Sequence, residues 1–422
     1  LRAITWQLRM NPFPLALAEL RQHALSYLLM IGLVGLAVAT GIGLSVYQQA
    51  FRQGANQAAA PFDLIIGAAG SETQLVLTTV YLQPAELTLL ATQVLDSLAK
   101  DPGVVYVAPV ALGDSAEGYP VVGTSAALLS SLTGNQLTCM QTVSSDACSS
   151  WATNTAVIGA NVALKVGHTF VVSHGFASRT VIPELQHGGF PIKITQKLPA
   201  TGSPWDKAIL VPIETIWAMH TPKFADPRIR LPIVPRVTEE RLQMLKRVPA
   251  LVVKPRTLAD AYRLRQQYRD GRTVAVFPAE VLMKLYQTVG NAADLISGLI
   301  TLMLLIVMLT VLLSITILLM AKRPFLAVLR ALGAPVGFIF LLTWIQVATV
   351  LLGGVLIGLP FGWLLAVLFG QWFESVSGLT MHAAIGVQDL MWLAALALSS
   401  LLLALLPAVL IYRMPLEKAL KN

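Results

Sequence analysis

The side chains best suited to chemistry are few, and most lie in one polar stretch. His168 and His174, in the run HTFVVSH, are six residues apart, and His187 follows in LQHGG. An even spacing puts two residues on the same face of a β-strand. Neutral imidazole is the commonest metal ligand, so the pattern admits a zinc or copper site. It equally admits surface or hydrogen-bonded histidines, and the spacing matches no established metal motif. Cys139 and Cys148 lie close together in TCMQTVSSDACSS. In an oxidising compartment such a polar loop is expected to close as a disulfide, two free thiols being the alternative. The stretch GAAGSET (67–73) resembles a phosphate-cradling loop but lacks the Gly-Lys-Ser/Thr ending that brings a lysine to the phosphates. It reads as a glycine turn. No serine sits in a Gly-x-Ser-x-Gly elbow, and no nucleophile–base set is evident. The expectation is a chain that is not an enzyme and holds no cofactor of its own.

The composition says where these residues sit. Of 422 residues 55% are hydrophobic and 12% charged, about half the charge of a soluble protein. The net charge of +8 is spread along the chain, without the basic arm or aromatic interleaving of a nucleic-acid binder, so no nucleic-acid partner is expected. Uncharged runs occur at Ala24–Ala50, Leu295–Met320, inside Ala331–Phe373, and at Leu390–Tyr412. Each is long enough for a helix across a bilayer. The third is read as one long helix, broken near Gly353-Gly354 or Pro360, because two spans would leave no polar turn. The first run is too long for a cleavable signal peptide. None of the runs carries the ionisable residues that ion-coupled transporters use.

Lysine and arginine in short loops orient the spans. Arg2, Arg9 and Arg21 precede the first, Lys322, Arg323 and Arg330 lie between the second and third, and Arg413, Lys418 and Lys421 follow the fourth. These segments and both termini are therefore expected inside. The expected fold is an α-helical membrane protein with four transmembrane helices and an α+β extracytoplasmic (periplasmic) domain inserted between the first two. The segments are an amphipathic N-terminal stretch 1–23, span 24–50, outer domain 51–290, span 291–320, cytoplasmic helix 321–335, span 336–373, outer loop 374–389, span 390–412 and tail 413–422. Within the outer domain, 104–112, 119–125, 191–198 and 207–213 read as strands, and 84–100 and 257–269 as helices. A helix over 280–289 is expected to run into the second span.

Two features of the membrane part have physical content. Gly354, Gly358 and Gly362 recur every four residues, and Ala37 and Gly41 make a similar pair in the first span. Such faces allow close helix approach, within one subunit or between subunits. Between two apolar spans, the basic loop AKRPFLAVLRALGAP places Phe325, Leu326, Leu329 and Leu332 on one helical face, flanked by Arg323 and Arg330. That face suits either a headgroup layer or a protein groove.

Here the sequence resembles a known family. FLAVLRALGAPVGFIFLLTWIQ, then GGVLIGLPFGWLLA, and the ending LLPAVLIYRMPLEKALKN are similar to FtsX-like permeases of MacB-type (type VII) ABC transporters. FDLIIGAAGSETQLVLTTVY (62–81) and TGSPWDKAILVP (201–212) resemble one bacterial subgroup of them. The resemblance implies a multi-pass permease of the bacterial inner membrane, paired with a second copy or a related permease. It also implies a separate dimeric ABC ATPase that binds the ATP and magnesium, since only 23 residues precede the first span. Residues 321–335 would be the coupling helix. A periplasmic adaptor or binding protein and membrane lipids are further expected partners. Motion of the outer domain would then move a hydrophobic or periplasmic substrate. Alternatives are a signalling subunit that activates a periplasmic enzyme, and a permease handling metal or haem. Lys322-Arg323-Pro324 stands where the family's coupling segments often carry an acidic residue.

Overall fold

The computed structural model describes residues 11–134, 151–175, 190–220, 246–321 and 334–387, with 328, 332 and a few single positions after 390. The chain divides into two compact units. One is helical, Leu1–Phe51, Gly290–Trp372 and His382–Asn422; the other is Arg52–Val289 with Phe373–Met381.

The helical unit draws on α1 (Phe13–Gln22), α2 (Ala24–Ala59), α8 (Pro278–Ala321) and α9 (Val336–Ser377). Val34, Val38, Ile42 and Val46 of α2 pack with Val307 and Val311 of α8 and with Val347, Val350 and Leu351 of α9. On α1, Leu15 packs against Ala334, Phe338 and Ile339, and the buried Glu19 accepts a hydrogen bond from the buried Gln346. The outward faces stay apolar: Leu28, Leu29 and Leu36 on α2, Leu299, Leu305 and Leu309 on α8, and Leu356, Leu368 and Phe369 on α9 are exposed. Surfaces of this size are unfavourable in water and natural in hydrocarbon. Among the described residues, two helices are long and apolar enough to cross a membrane, Ala24–Ala59 and Gly337–Ser377. Helix α8 runs unbroken from Pro278 to Ala321, and the apolar part that its described residues carry is Thr301–Ser314. Nearly all of the expected fourth span lies outside the described residues.

The expected break in the third span is not found. Helix α9 continues through Gly353-Gly354 and through Pro360. A proline in a helix removes one hydrogen bond and crowds the preceding turn, but neighbouring helices tolerate this in a membrane segment.

The second unit is built on a mixed ten-stranded sheet in the order β10-β1-β9-β2-β3-β8-β4-β7-β5, with β6 also paired to β2. The strands are β1 (Leu64–Ala68), β2 (Val104–Ala116), β3 (Tyr119–Thr124), β4 (Thr155–Ile158), β5 (Thr169–Phe170), β6 (Ser173–His174), β7 (Ile192–Lys197), β8 (Ile209–Pro212), β9 (Ala250–Pro255) and β10 (Thr273–Val276). The pairs β3–β8 and β4–β7 are parallel; the others are antiparallel. Side chains alternate between two cores, one on each face of the sheet. Ile65 and Val252 enter the first with Leu75 and Val76 of α3 (Glu72–Tyr81). Leu64, Ile66, Leu251 and Val253 enter the second with Leu98 of α4 (Thr92–Ala99), Ile216 of α6 (Ile213–His220) and Leu264 of α7 (Leu258–Gln267). A short α5 (Ala126–Leu132) covers the first core. With both faces covered, these strands read as continuous apolar runs.

The four expected strands are β2, β3, β7 and β8, and the helix expected over 257–269 is α7, capped by the Thr257 hydroxyl, which accepts from Asp260 N. The helix expected over 84–100 is only α4. Leu82 ends α3 in the left-handed region, and Leu90, buried, donates its N–H to the Val248 carbonyl at 2.8 Å. That bridge between the two segments holds Leu90 extended, so the helix begins only after it.

Candidate functional site

The glycine face of α9 meets α2 backbone to backbone. A Cβ on Gly358 would lie 2.5 Å from the Gly35 carbonyl oxygen, and one on Gly362 2.6 Å from that of Ala39. One on Gly354 would strike Val34 at 2.4 Å. The α2 side of this seam is Gly35, Ala39 and Gly43. Ala37 is buried in the same helical core. Only glycine lets the two backbones come this close.

A second arrangement fastens the chain leaving α9 into the α+β unit. TGSPWDK forms a 3-10 turn, Pro204–Lys207, whose Asp206 is 1% exposed. The Asp206 carboxylate accepts from Thr201 N at 2.9 and 3.0 Å, from Gly202 N at 2.8 Å and from the Thr201 hydroxyl at 2.8 Å. So held, the Gly202 carbonyl accepts from Thr380 N at 3.2 Å and from the Thr380 hydroxyl at 2.9 Å. Gly202 has φ +72°, and a Cβ there would meet the Thr380 hydroxyl at 2.4 Å. Lys207 reaches the Ser375 carbonyl with its ammonium. Burial lowers its pKa below the usual lysine value, and Glu374 opposes that shift. Trp205 donates its indole N–H to the Val80 carbonyl at 3.1 Å and packs on Phe62 with ring centroids 5.9 Å apart. The stretches 62–81 and 201–212 therefore touch. Near them the Tyr81 hydroxyl donates to the Ala55 carbonyl at 2.8 Å, and Gly54 leaves room for the Thr380 carbonyl. Ser71 of GAAGSET is the N-cap of α3, accepting from Gln74 N at 3.3 Å. The glycine stretch is a strand-to-helix turn.

The histidines do not share a strand. The chain turns between Phe170, which pairs with Ile192, and Ser173, which pairs with Ser115. His168 lies before β5, with Nε2 3.9 Å from Glu117. His174, on β6, joins two residues that spacing could not associate with it, Asp114 and His220. A register shift between Leu112 and Asp114, at Gly113, lets Asp114 face His174 across the β2–β6 pair. Bulges of this kind re-aim side chains. The Asp114 carboxylate is buried, with Oδ1 2.9 Å from His174 Nδ1 and Oδ2 3.7 Å from His220 Nε2. His220 ends α6, with Nδ1 2.8 Å from the Ile216 carbonyl. The two imidazoles are 4.9 Å apart, centroid to centroid. All three residues line a cavity of about 550 Å³.

Arg323, Phe325, Leu326, Leu329 and Arg330 lie outside the described residues, as do Cys139, Cys148 and His187; Leu332 is described and is 80% exposed.

Residues 297–416 match the family model for the FtsX-like permease C-terminal region. No curated protein matches the chain. Among solved structures, the periplasmic region of MacB from Actinobacillus actinomycetemcomitans is similar at 9% identity and a TM-score of 0.30, over 54% of this chain and 94% of that one.

Proposed function

Taking as premise that residues 297–416 match the model of an FtsX-like permease C-terminal region, we propose that this chain is the transmembrane permease subunit of an ABC transporter. A separate ATPase supplies the energy, and the permease passes motion to its α+β unit, which moves a hydrophobic or extracytoplasmic substrate. The observation that carries this reading is the fastening at Gly202. The segment that follows α9, inside the family match, is held in the α+β unit by two hydrogen bonds from Thr380 to the Gly202 carbonyl, set by the Asp206 cradle. An α9 shift has a hydrogen-bonded route to the sheet. Conformational coupling is carried by chains of packed and hydrogen-bonded groups, and this fastening is one such link.

On this reading the loop 321–335 seats Phe325, Leu326, Leu329 and Leu332 in a groove of the ATPase, with Arg323 and Arg330 at its rim. Leu329→Asp puts a charge into an apolar contact, which is costly unless paired. The variant is expected to insert normally and to lose co-purification with the ATPase. Arg330→Ala should mainly change association rate and salt dependence. Wild-type ATPase recovery with Leu329→Asp would remove the coupling role of this loop.

A further inference from the structure

We propose that Asp114, His174 and His220 form a binding site for a divalent transition-metal ion of the zinc type, open to the cavity of the α+β unit. The three residues come from three elements, β2, β6 and the end of α6. Each offers one ligand atom, and those atoms lie within 4.8 Å of one another. Ligands bound to one zinc ion at about 2.0–2.1 Å stand roughly 3.3–3.5 Å apart in a tetrahedron. The 3.7 Å between Asp114 Oδ2 and His220 Nε2 is already near that value. Metal binding would replace the 2.9 Å contact between His174 Nδ1 and Asp114 Oδ1 with a bond from each to the ion.

The orientation of His220 supports a ligand role. Its Nδ1 lies 2.8 Å from the Ile216 carbonyl and can only donate to it. In the neutral ring this tautomer turns the Nε2 lone pair toward Asp114. A backbone carbonyl fixing the far nitrogen is the usual outer support of a metal-bound histidine. Asp114 is 4% exposed, and a buried carboxylate calls for a cation or strong donors beside it. Glu86 and Arg247 also line the cavity and bring one charge of each sign, so the local excess is the negative charge of Asp114. Two imidazoles and one carboxylate suit zinc and its neighbours in the first transition row better than calcium or magnesium, which take oxygen ligands. Three protein ligands would leave a fourth position for a water or another ligand, unlike a closed four-ligand structural site. The site stands apart from the permease reading and needs none of its residues.

The test is equilibrium zinc binding by the full chain in detergent, freed of any affinity tag, in competition with a chromophoric chelator. Cobalt(II) absorption reads the ligand field. The expected result is one zinc per chain for the wild type. Affinity should fall at least tenfold in His174→Gln and in His220→Gln, with His168→Gln matching the wild type. Cobalt should give visible bands in the wild type that are lost in the double variant His174→Gln/His220→Gln. Glutamine keeps much of the side-chain volume, and elution of the variants as wild-type-sized particles checks the fold. Absence of zinc binding by the wild type, or wild-type affinity in the folded double variant, would overturn the proposal.

Discussion

Single residues set the two polar features of the α+β unit. Both Asp206 oxygens accept backbone N–H bonds, so an amide in its place must turn an N–H donor against another donor. Asp206→Asn is expected to destabilise the unit by roughly 1–3 kcal/mol, the usual cost of a buried group left unsatisfied. Thermal unfolding of the full chain in detergent reads it. A loss of transport at wild-type stability would instead make Asp206 a working residue. Asp101 gives a pH dependence. Its carboxylate takes two bonds from Arg263 at 2.7 and 3.0 Å, and these hold its pKa below the usual carboxylate value. A depressed folded-state pKa stabilises above the unfolded value of about 3.9 and loses that contribution as pH falls through the folded one. The acid limb of the stability curve should flatten in Asp101→Asn, as read by unfolding between neutral and acid pH. Of the histidine cluster, the sequence exposed His174 but neither partner. Even spacing linked it to His168 because one strand was assumed, and the chain turns between them. Asp114 lies just past the strand expected over 104–112; only the structure extends β2 to Ala116 and puts the register shift at Gly113. His220 carried no signal: a helix end gives no hint of which sheet residue it faces.

At the scale of elements, the seam between α2 and α9 has no room for a side chain. Gly358→Leu would drive a branched chain into the Gly35 carbonyl. The expected outcome is a penalty of roughly 1–3 kcal/mol from overpacking, seen as a lower unfolding temperature and as lost crosslinking between cysteines placed on the two helices. Unchanged crosslinking would mean the helices already stand apart. The four-residue period of glycine on α9 marks a face for close approach, but that Gly35, Ala39 and Gly43 of α2 meet it is seen only in the structure. Apolar period cannot tell which of several small residues faces a partner. The strands β1, β9 and β10 left no clear trace either. They are short, apolar and buried on both faces, and such runs cannot be told from pieces of helix by periodicity. The parallel pairing of β3 with β8 needs long-range contacts that no local pattern encodes.

For the whole molecule, the arginine and lysine pattern makes a prediction that the helices alone do not. In a background with Cys139 and Cys148 replaced by serine, a cysteine at Lys165 should react with an impermeant thiol reagent from outside intact cells. A cysteine at Ala327 should react only after the membrane is opened. Inside-only reaction at 165 would invert the assignment of the α+β unit.

Strand β2 belongs to both halves of the sheet. Residues 104–110 pair with β9, while 111–116 pair with β3 and, at Asp114 and Ser115, with β6. Unfolding of β2 removes the partner of β9 and of β3 at once, so the two ladders are expected to open together. Slow amide hydrogen exchange on the two sides should therefore report one opening event with one free energy, so that β1 and β8, far apart in the sequence, lose protection together.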